Sequence, residues 1–194
     1  MAKLSIWLPT SRLAHIALSA NTRAWLLAPG STTKLFNTLS KTPMQVRCLQ
    51  QRWQQTPLRT ETDKLGLSPH RQILLREVEL LCDGNIWMYA RTAIPAETLI
   101  GKYQQLKRIG TRPLGNLLFR DPLMKRSPFE VALLKPSHLE YQLAVRHLSM
   151  PLASDVVLLA RRSIFLLNHK PLLLTEIFLP SCINRLTEYA EKNI

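Results

Sequence analysis

The sequence lacks a long apolar run, a cysteine framework, acidic residues to match its basic ones, and the common phosphate- and metal-binding motifs. Although 46 % of the 194 residues are hydrophobic, no stretch approaches the roughly 20 uninterrupted apolar residues that cross a bilayer. That content instead fits a globular protein with one well-filled core. The opening stretch "MAKLSIWLPTSRLAHIAL" has an early Lys3 but is broken by Pro9 and Arg12. It lacks the apolar centre and small-residue cleavage site of a secretory signal, so a cytoplasmic location is expected. The cysteines, Cys48, Cys82 and Cys182, are odd in number and without metal-ligand spacing, which predicts reduced, buried thiols. The histidines at 15, 70, 138, 147 and 169 show no ligand spacing either and read as surface or turn residues. There is no P-loop, no GxGxxG and no nucleophile-elbow serine.

Only 13 acidic residues stand against 26 lysines and arginines, giving a net charge of +13 and a pI near 10.2. Such a chain attracts anions of any size, from nucleic acids to small dianionic metabolites. The basic residues are scattered singly, with no zinc-finger spacing, no basic heptad region and no aromatic-rich RNA-binding signature. A nucleic-acid partner is therefore not expected.

No repeat, low-complexity block or linker divides the chain, so one domain over 1–194 is expected. Residues 21–28 suggest a short helical turn, followed by a Pro29-Gly30 break. A helix then starts at Ser31, a good N-cap, with Leu35 and Leu39 one turn apart. Residues 43–53 read as a strand and 54–70 as a polar loop. Leu99, Tyr103 and Leu106 recur at helical spacing, and Gly110 is placed to close that helix. Between 127 and 148, "SPFE" and "SHLE" both resemble capping boxes, while Pro136 interrupts any continuous helix. Residues 156–180 form a hairpin turning at Asn168-His169. Irregular alternation of helices and strands predicts an α+β domain with a largely antiparallel sheet flanked by helices.

The chemistry concentrates in two hairpins. In "LLREVELLCDGNIWMYARTAIP" (74–95), Asp83-Gly84 is a strong turn signal, since a type I′ turn needs positive φ at both central residues. A two-residue loop pairs Cys82 with Asn85 and sets Arg76 opposite Arg91, on an apolar face with Val78, Leu80, Trp87 and Tyr89. A three-residue loop would instead place Arg76 opposite Thr92, with Arg91 close by. Either both arginines point inward and require negative charge, or one points outward, or both snorkel to the sheet edge. In "PLLLTEIFLP", Glu176 is the only charge and faces the same way as Leu172, Leu174 and Phe178. A turn at Asn168-His169 sets Arg161 opposite it, so Glu176 is either a working carboxylate or half of a structural ion pair. The amides of Thr32 and Thr33, in a first helical turn, suit an anion. "GTRPLGN" (110–116) bends so as to present the Leu114 backbone to a ligand.

These segments, together with "WLLAPGSTTKLF", "GTRPLGNLLF" and "ARRSIFLLNHKPLLLTEIFLP", resemble the bacterial chorismate pyruvate-lyase family, which makes 4-hydroxybenzoate at the start of ubiquinone synthesis. The likeness covers most of residues 20–182, with the motifs in the family's order. Residues 131–155 look longer than the family pattern, as does a tail over 183–194. The resemblance implies a compact α+β domain, an enclosed pocket, no metal or organic cofactor, and catalysis on chorismate; a monomer is expected. It assigns Arg76 to the aromatic product, Glu176 to the ring hydroxyl and Leu114 to a loop contact. A first-turn contact falls on Thr32, where the family carries methionine; whether that contact is made by backbone or side chain is open. Arg91 is expected to hold the second carboxylate of chorismate. The competing expectation is a non-enzymatic aromatic-acid sensor similar in fold to the effector domains of transcription regulators. The residues before 43 are too few and wrongly patterned for a DNA-binding helix-turn-helix.

Overall fold

In a strand exposed on one face, polar residues alternate with apolar ones. In Ile73–Cys82 nine of the ten residues are buried, including Arg76, Glu77 and Glu79. Both faces of this strand are therefore covered, and its charges need partners inside the protein. The computed structural model describes residues 3–16, 18–55, 58–68 and 71–192. Among these, eight strands form one antiparallel sheet: β1 (Leu8–Pro9), β2 (Gln45–Gln54), β3 (Ile73–Cys82), β4 (Asn85–Pro95), β5 (Lys125–Arg126), β6 (Glu130–Leu134), β7 (Leu158–Leu167) and β8 (Lys170–Phe178). The order across the sheet is β1-β6-β7-β8-β4-β3-β2, with β5 added to the far end of β7. The α-helices are α1 (Ala20–Leu26), α2 (Thr32–Leu39), α3 (Arg59–Leu65), α4 (Leu114–Leu118), α5 (Leu139–Val145) and α6 (Pro180–Lys192). This is the expected α+β architecture.

Both hairpins turn where the sequence places them. Asp83 and Gly84 have φ of 51° and 78°, and Asn168 and His169 have 49° and 65°. The Asp83 carboxylate also accepts the Lys41 and Thr42 amides, each at 2.9 Å, which ties the turn to the chain entering β2. Past the first turn, however, the pairing slips by one residue. Cys82 faces Asn85 and Leu81 faces Ile86, but Leu80 faces Met88, which leaves Trp87 as a bulge. The Trp87 ring packs edge-on against Phe36 at 5.2 Å, and its carbonyl accepts the Leu179 amide at 2.9 Å. The bulge sets Arg76 opposite Thr92, and Glu77 opposite Arg91. The two arginines consequently occupy opposite faces of the sheet. A shared Arg76–Arg91 face is thus corrected, because the pairing shift comes from a bulge beyond the loop and moves every later residue of β4 by one.

Other expectations change for local reasons. The 54–70 segment is not a continuous loop, because α3 forms within it. Glu61 reaches back to the Leu58 amide at 3.0 Å, and Gly66 closes the helix with φ 63°. The helix expected around Leu99–Leu106 is two short 3₁₀ segments, Ala96–Thr98 and Gly101–Arg108, separated at Gly101 by a φ of 53°. "SPFE" does not start a helix: Ser127 is bonded through its amide and its hydroxyl to Ile164 of β7, and Glu130 begins β6. Residues 131–155 supply most of β6 and all of α5. Residues 180–192 form α6, with Leu186 buried in the same cluster as Phe36 and Phe178. The expectations for His70 and for the His15 side chain lie outside the described residues. Cys82 and Cys182 are buried free thiols and Cys48 is half-buried; burial pushes the Cys82 thiol up to about 12.

Candidate active site

One face of the sheet and the elements covering it enclose a cavity with about 560 Å³ of empty space, mouth included. Its floor is apolar: Val78 and Leu80 of β3, Met88 and Ala90 of β4, and Leu174 of β8. The start of α2 (Ser31, Thr32, Thr33) and α4 (Leu114, Leu118) form its walls, along with Phe119 and Phe165. Among the described residues, three charged ones line it: Arg76, Arg126 and Glu176. Arg76 and Glu176 sit on strands separated by β4 and are offset by two residues along the sheet. Their Cα atoms are therefore roughly 12 Å apart on standard strand spacings. That gap suits a flat ring with a polar group at each end.

At one end, Arg76 is 2 % exposed. One nitrogen, Nη2, donates to the Gly110 carbonyl at 2.8 Å and to that of Arg112 at 3.1 Å. Its Nε has no partner, and no carboxylate among the described residues pairs with it. Burial pushes this guanidinium below its ordinary pKa, with the nearby Cys48 thiol acting in the opposite direction. A buried cation held only by carbonyls has unused attraction for an anion. Leu114, the first residue of α4, lies against the same end, where "GTRPLGN" bends over the cavity.

At the other end, Glu176 is 2 % exposed. Arg161, directly across on β7, donates Nε to Glu176 Oε2 at 2.7 Å and Nη2 to Thr32 Oγ1 at 2.7 Å. Thr32 in turn donates its hydroxyl to Glu176 Oε1. The three groups form a closed ring. Burial alone would raise the Glu176 pKa, but Arg161 first, then Arg126 and Thr32, pull it below the ordinary glutamate value. Glu176 is therefore an ionised acceptor at neutral pH. Of the two roles open for it, Arg161 supplies the ion pair, while the same carboxylate still lines the cavity. The Thr32 side chain thus bonds Glu176 and Arg161, and the residue lines the cavity at the start of α2.

Arg91 is on the other face, 5 % exposed. Its Nε donates to Glu61 Oε1 at 2.6 Å and its Nη2 to Glu61 Oε2 at 3.1 Å. Its Nη1 donates to Glu77. Burial alone would lower its pKa, yet the Glu61 and Glu77 carboxylates raise it. This arginine pins α3 to the sheet and does not reach the cavity, so its expected contact with a ligand is corrected by the same bulge. Sequence reasoning also missed Arg126. It lies on the cavity face opposite Phe165 and stacks on Phe129 at 4.0 Å and Phe165 at 4.7 Å. Burial lowers its pKa to about 10, with Glu176 opposing the shift and Arg161 adding to it. Among the described residues, no group of three or more His, Cys, Asp or Glu is arranged to hold a metal. No helix among them is long and apolar enough to cross a membrane.

A sequence profile of the family described as "Chorismate lyase" matches residues 1–187. The chain is 35 % identical over 184 residues to a probable chorismate pyruvate-lyase of Psychromonas ingrahamii, covering 93 % of each. To the probable chorismate pyruvate-lyase of Coxiella burnetii it is 32 % identical over 181 residues, 93 % of this chain and 95 % of that one. To that of Cupriavidus metallidurans it is 36 % identical over 176 residues, 89 % and 81 % of the two chains. Among solved structures, the C-terminal domain of a histidine utilization repressor from Pseudomonas syringae pv. tomato is similar with a TM-score of 0.54. The identity is 8 %, over 71 % of this chain and 92 % of that one. The effector domain of PhnF from Mycobacterium smegmatis gives 0.52 at 12 % identity, over 78 % and 90 %. At such identities the likeness is one of fold.

Proposed function

The chain belongs to the chorismate lyase family, and we propose that it converts chorismate to 4-hydroxybenzoate and pyruvate in the cavity between Arg76 and Glu176. The observation that carries this reading is the buried Arg76, which among the described residues has only carbonyl partners, at the end of a ring-sized apolar space. A ring carboxylate supplies the missing charge. The backbone of Leu114 and of the start of α2, which line the cavity, would help orient the ring. At the opposite end, the ionised Glu176 accepts the ring hydroxyl.

The reaction then needs little beyond orientation. The proton on the hydroxyl-bearing ring carbon is lost and the neighbouring carbon–oxygen bond breaks. The departing enolpyruvyl group takes up a proton and leaves as pyruvate. Aromatisation drives this elimination, and a rigid pocket that holds the leaving group correctly lowers the barrier through proximity. Glu176, fixed by Arg161 and Thr32, orients the hydroxyl and is positioned to assist proton transfer. The 4-hydroxybenzoate would enter ubiquinone synthesis.

The test is to incubate the purified protein with chorismate and follow both products. Pyruvate and 4-hydroxybenzoate in equal amounts support the reading. Binding of chorismate or 4-hydroxybenzoate without turnover would instead make this an aromatic-acid sensing domain.

A further inference from the structure

The cavity has a charge imbalance that one ring carboxylate does not remove. Arg161 and Glu176 neutralise each other at 2.7 Å. Arg76 and Arg126 remain, two positive charges against a space lined, among the described residues, by no carboxylate other than Glu176. We infer that Arg126 is the receptor for the second, enolpyruvyl carboxylate of the substrate, and so the residue that distinguishes chorismate from its product. This rests on the function proposed above.

Three features separate Arg126 from its neighbour Arg161. Arg161 is committed: it donates to Glu176, Thr32 and the Leu26 carbonyl, each at 2.7 Å. Arg126 donates Nε to Ser163 Oγ at 2.8 Å and Nη1 to the Pro29 carbonyl at 3.3 Å. Its Nη2 lies 3.6 Å from Glu176 Oε2, beyond hydrogen-bond range, so donors of its fork remain available. Second, the Arg126 side chain is 12 % exposed against 3 % for Arg161, so it retains an open side. Third, Phe129 and Phe165 stack against the guanidinium and fix its plane without consuming a donor.

The position also fits the chemistry. In chorismate the ether-bearing carbon is next to the hydroxyl-bearing one. A group that receives the enolpyruvyl carboxylate must therefore lie beside the group that receives the hydroxyl. Arg126 lies beside Glu176 in that way, whereas Arg76 is across the cavity. Once pyruvate has left, the product carries one carboxylate and makes no demand on Arg126.

The test is a comparison of two ligands in two variants, Arg126→Gln and Arg126→Lys. Turnover gives KM and kcat/KM for chorismate, and titration calorimetry gives Kd for 4-hydroxybenzoate. Arg126→Gln should lower kcat/KM for chorismate by about 100-fold or more, the usual result of removing one partner of a buried charge pair. Its Kd for 4-hydroxybenzoate should stay within about threefold, a range too small to reflect loss of a charged contact. Arg126→Lys should recover part of the chorismate loss. Arg76→Gln, in contrast, should weaken both ligands. Equal losses for the two ligands in Arg126→Gln would mean that Arg126 only positions Glu176, which overturns the inference. Unchanged kcat/KM would overturn it too, as would failure of both Arg126 variants to fold. If the wild-type protein binds chorismate without turning it over, the proposed reaction fails. Direct titration of chorismate in place of KM then still decides the role of Arg126.

Discussion

Replacing Arg76 by methionine should make the ligand-free protein more stable and its ligand affinity much worse. Arg76 is 2 % exposed, has an unpartnered Nε and pairs with no carboxylate among the described residues. Folding therefore desolvates a cation that only two carbonyls compensate. The Gly110 and Arg112 residues that supply those carbonyls are exposed, so water can replace the guanidinium there. Methionine is similar in length, apolar, and faces Val78, Leu114 and Leu118 in the same cavity lining. The gain on losing the buried charge is about 1–3 kcal/mol. For a chain of this length that corresponds to a rise in Tm of about 3–10 °C. Binding changes in the opposite sense: losing the charged contact to a ring carboxylate costs about 2–5 kcal/mol. Thermal unfolding with and without 4-hydroxybenzoate reads both signs in one experiment. The wild type should gain about 2.7 kcal/mol at one hundred times its Kd, while the variant gains about 0.9 kcal/mol or less at the same concentration. A ligand-free variant less stable than the wild type would refute the reasoning, because Arg76 would then be a structural residue.

Arg91→Ala should behave in the reverse way. It leaves the buried Glu61 without its arginine and takes from Glu77 one of its two, so urea unfolding should show a loss of about 3–5 kcal/mol. The affinity of the folded variant for 4-hydroxybenzoate should not change. Glu176→Ala leaves Arg161 buried without its partner and should also destabilise by about 3–5 kcal/mol. Glu176→Gln, which keeps hydrogen-bonding atoms in place, should fold better while lowering pyruvate release by about 100-fold or more. The Glu176 pKa is lowered in the folded protein from its ordinary 4.5, so its contribution to stability is fully present above that value. It is lost as the pH falls through the lower, folded value. Turnover should accordingly be flat from about pH 6 to 8, with any acid limb due to Glu176 lying below the ordinary glutamate range. In Arg161→Gln, burial acts on Glu176 without its main opposing charge, and the acid limb should move upward.

Hairpins and pairings near turns were legible in the sequence because their causes are local. Asp83-Gly84 and Asn168-His169 are residues that tolerate positive φ, and counting back from the second turn pairs Arg161 with Glu176 correctly. The same counting fails for Arg76 and Arg91. The Trp87 bulge is set by the fit of an indole against Phe36 and by a bond to Leu179, neither visible in the hairpin itself. The α3 helix was hidden for a related reason. "RTETDKL" has too few apolar residues to signal a helix, and its Glu61 becomes a structural element only when Arg91 arrives from β4. Arg126 lies in a two-residue strand without periodicity. Its role depends on aromatic rings of other segments, at 129 and 165, and on the distance to Glu176. By contrast, Arg76 and Glu176 stood out as charges inside apolar strands, and the cavity contains both.

The most direct test is a crystal structure of the protein with 4-hydroxybenzoate. The account predicts one ring in the cavity, its carboxylate bonded to Arg76 beside Leu114 and its hydroxyl bonded to Glu176. A ring bound with its carboxylate on Arg126 and its hydroxyl toward Arg76, or seated on the Arg91 face of the sheet, would contradict it.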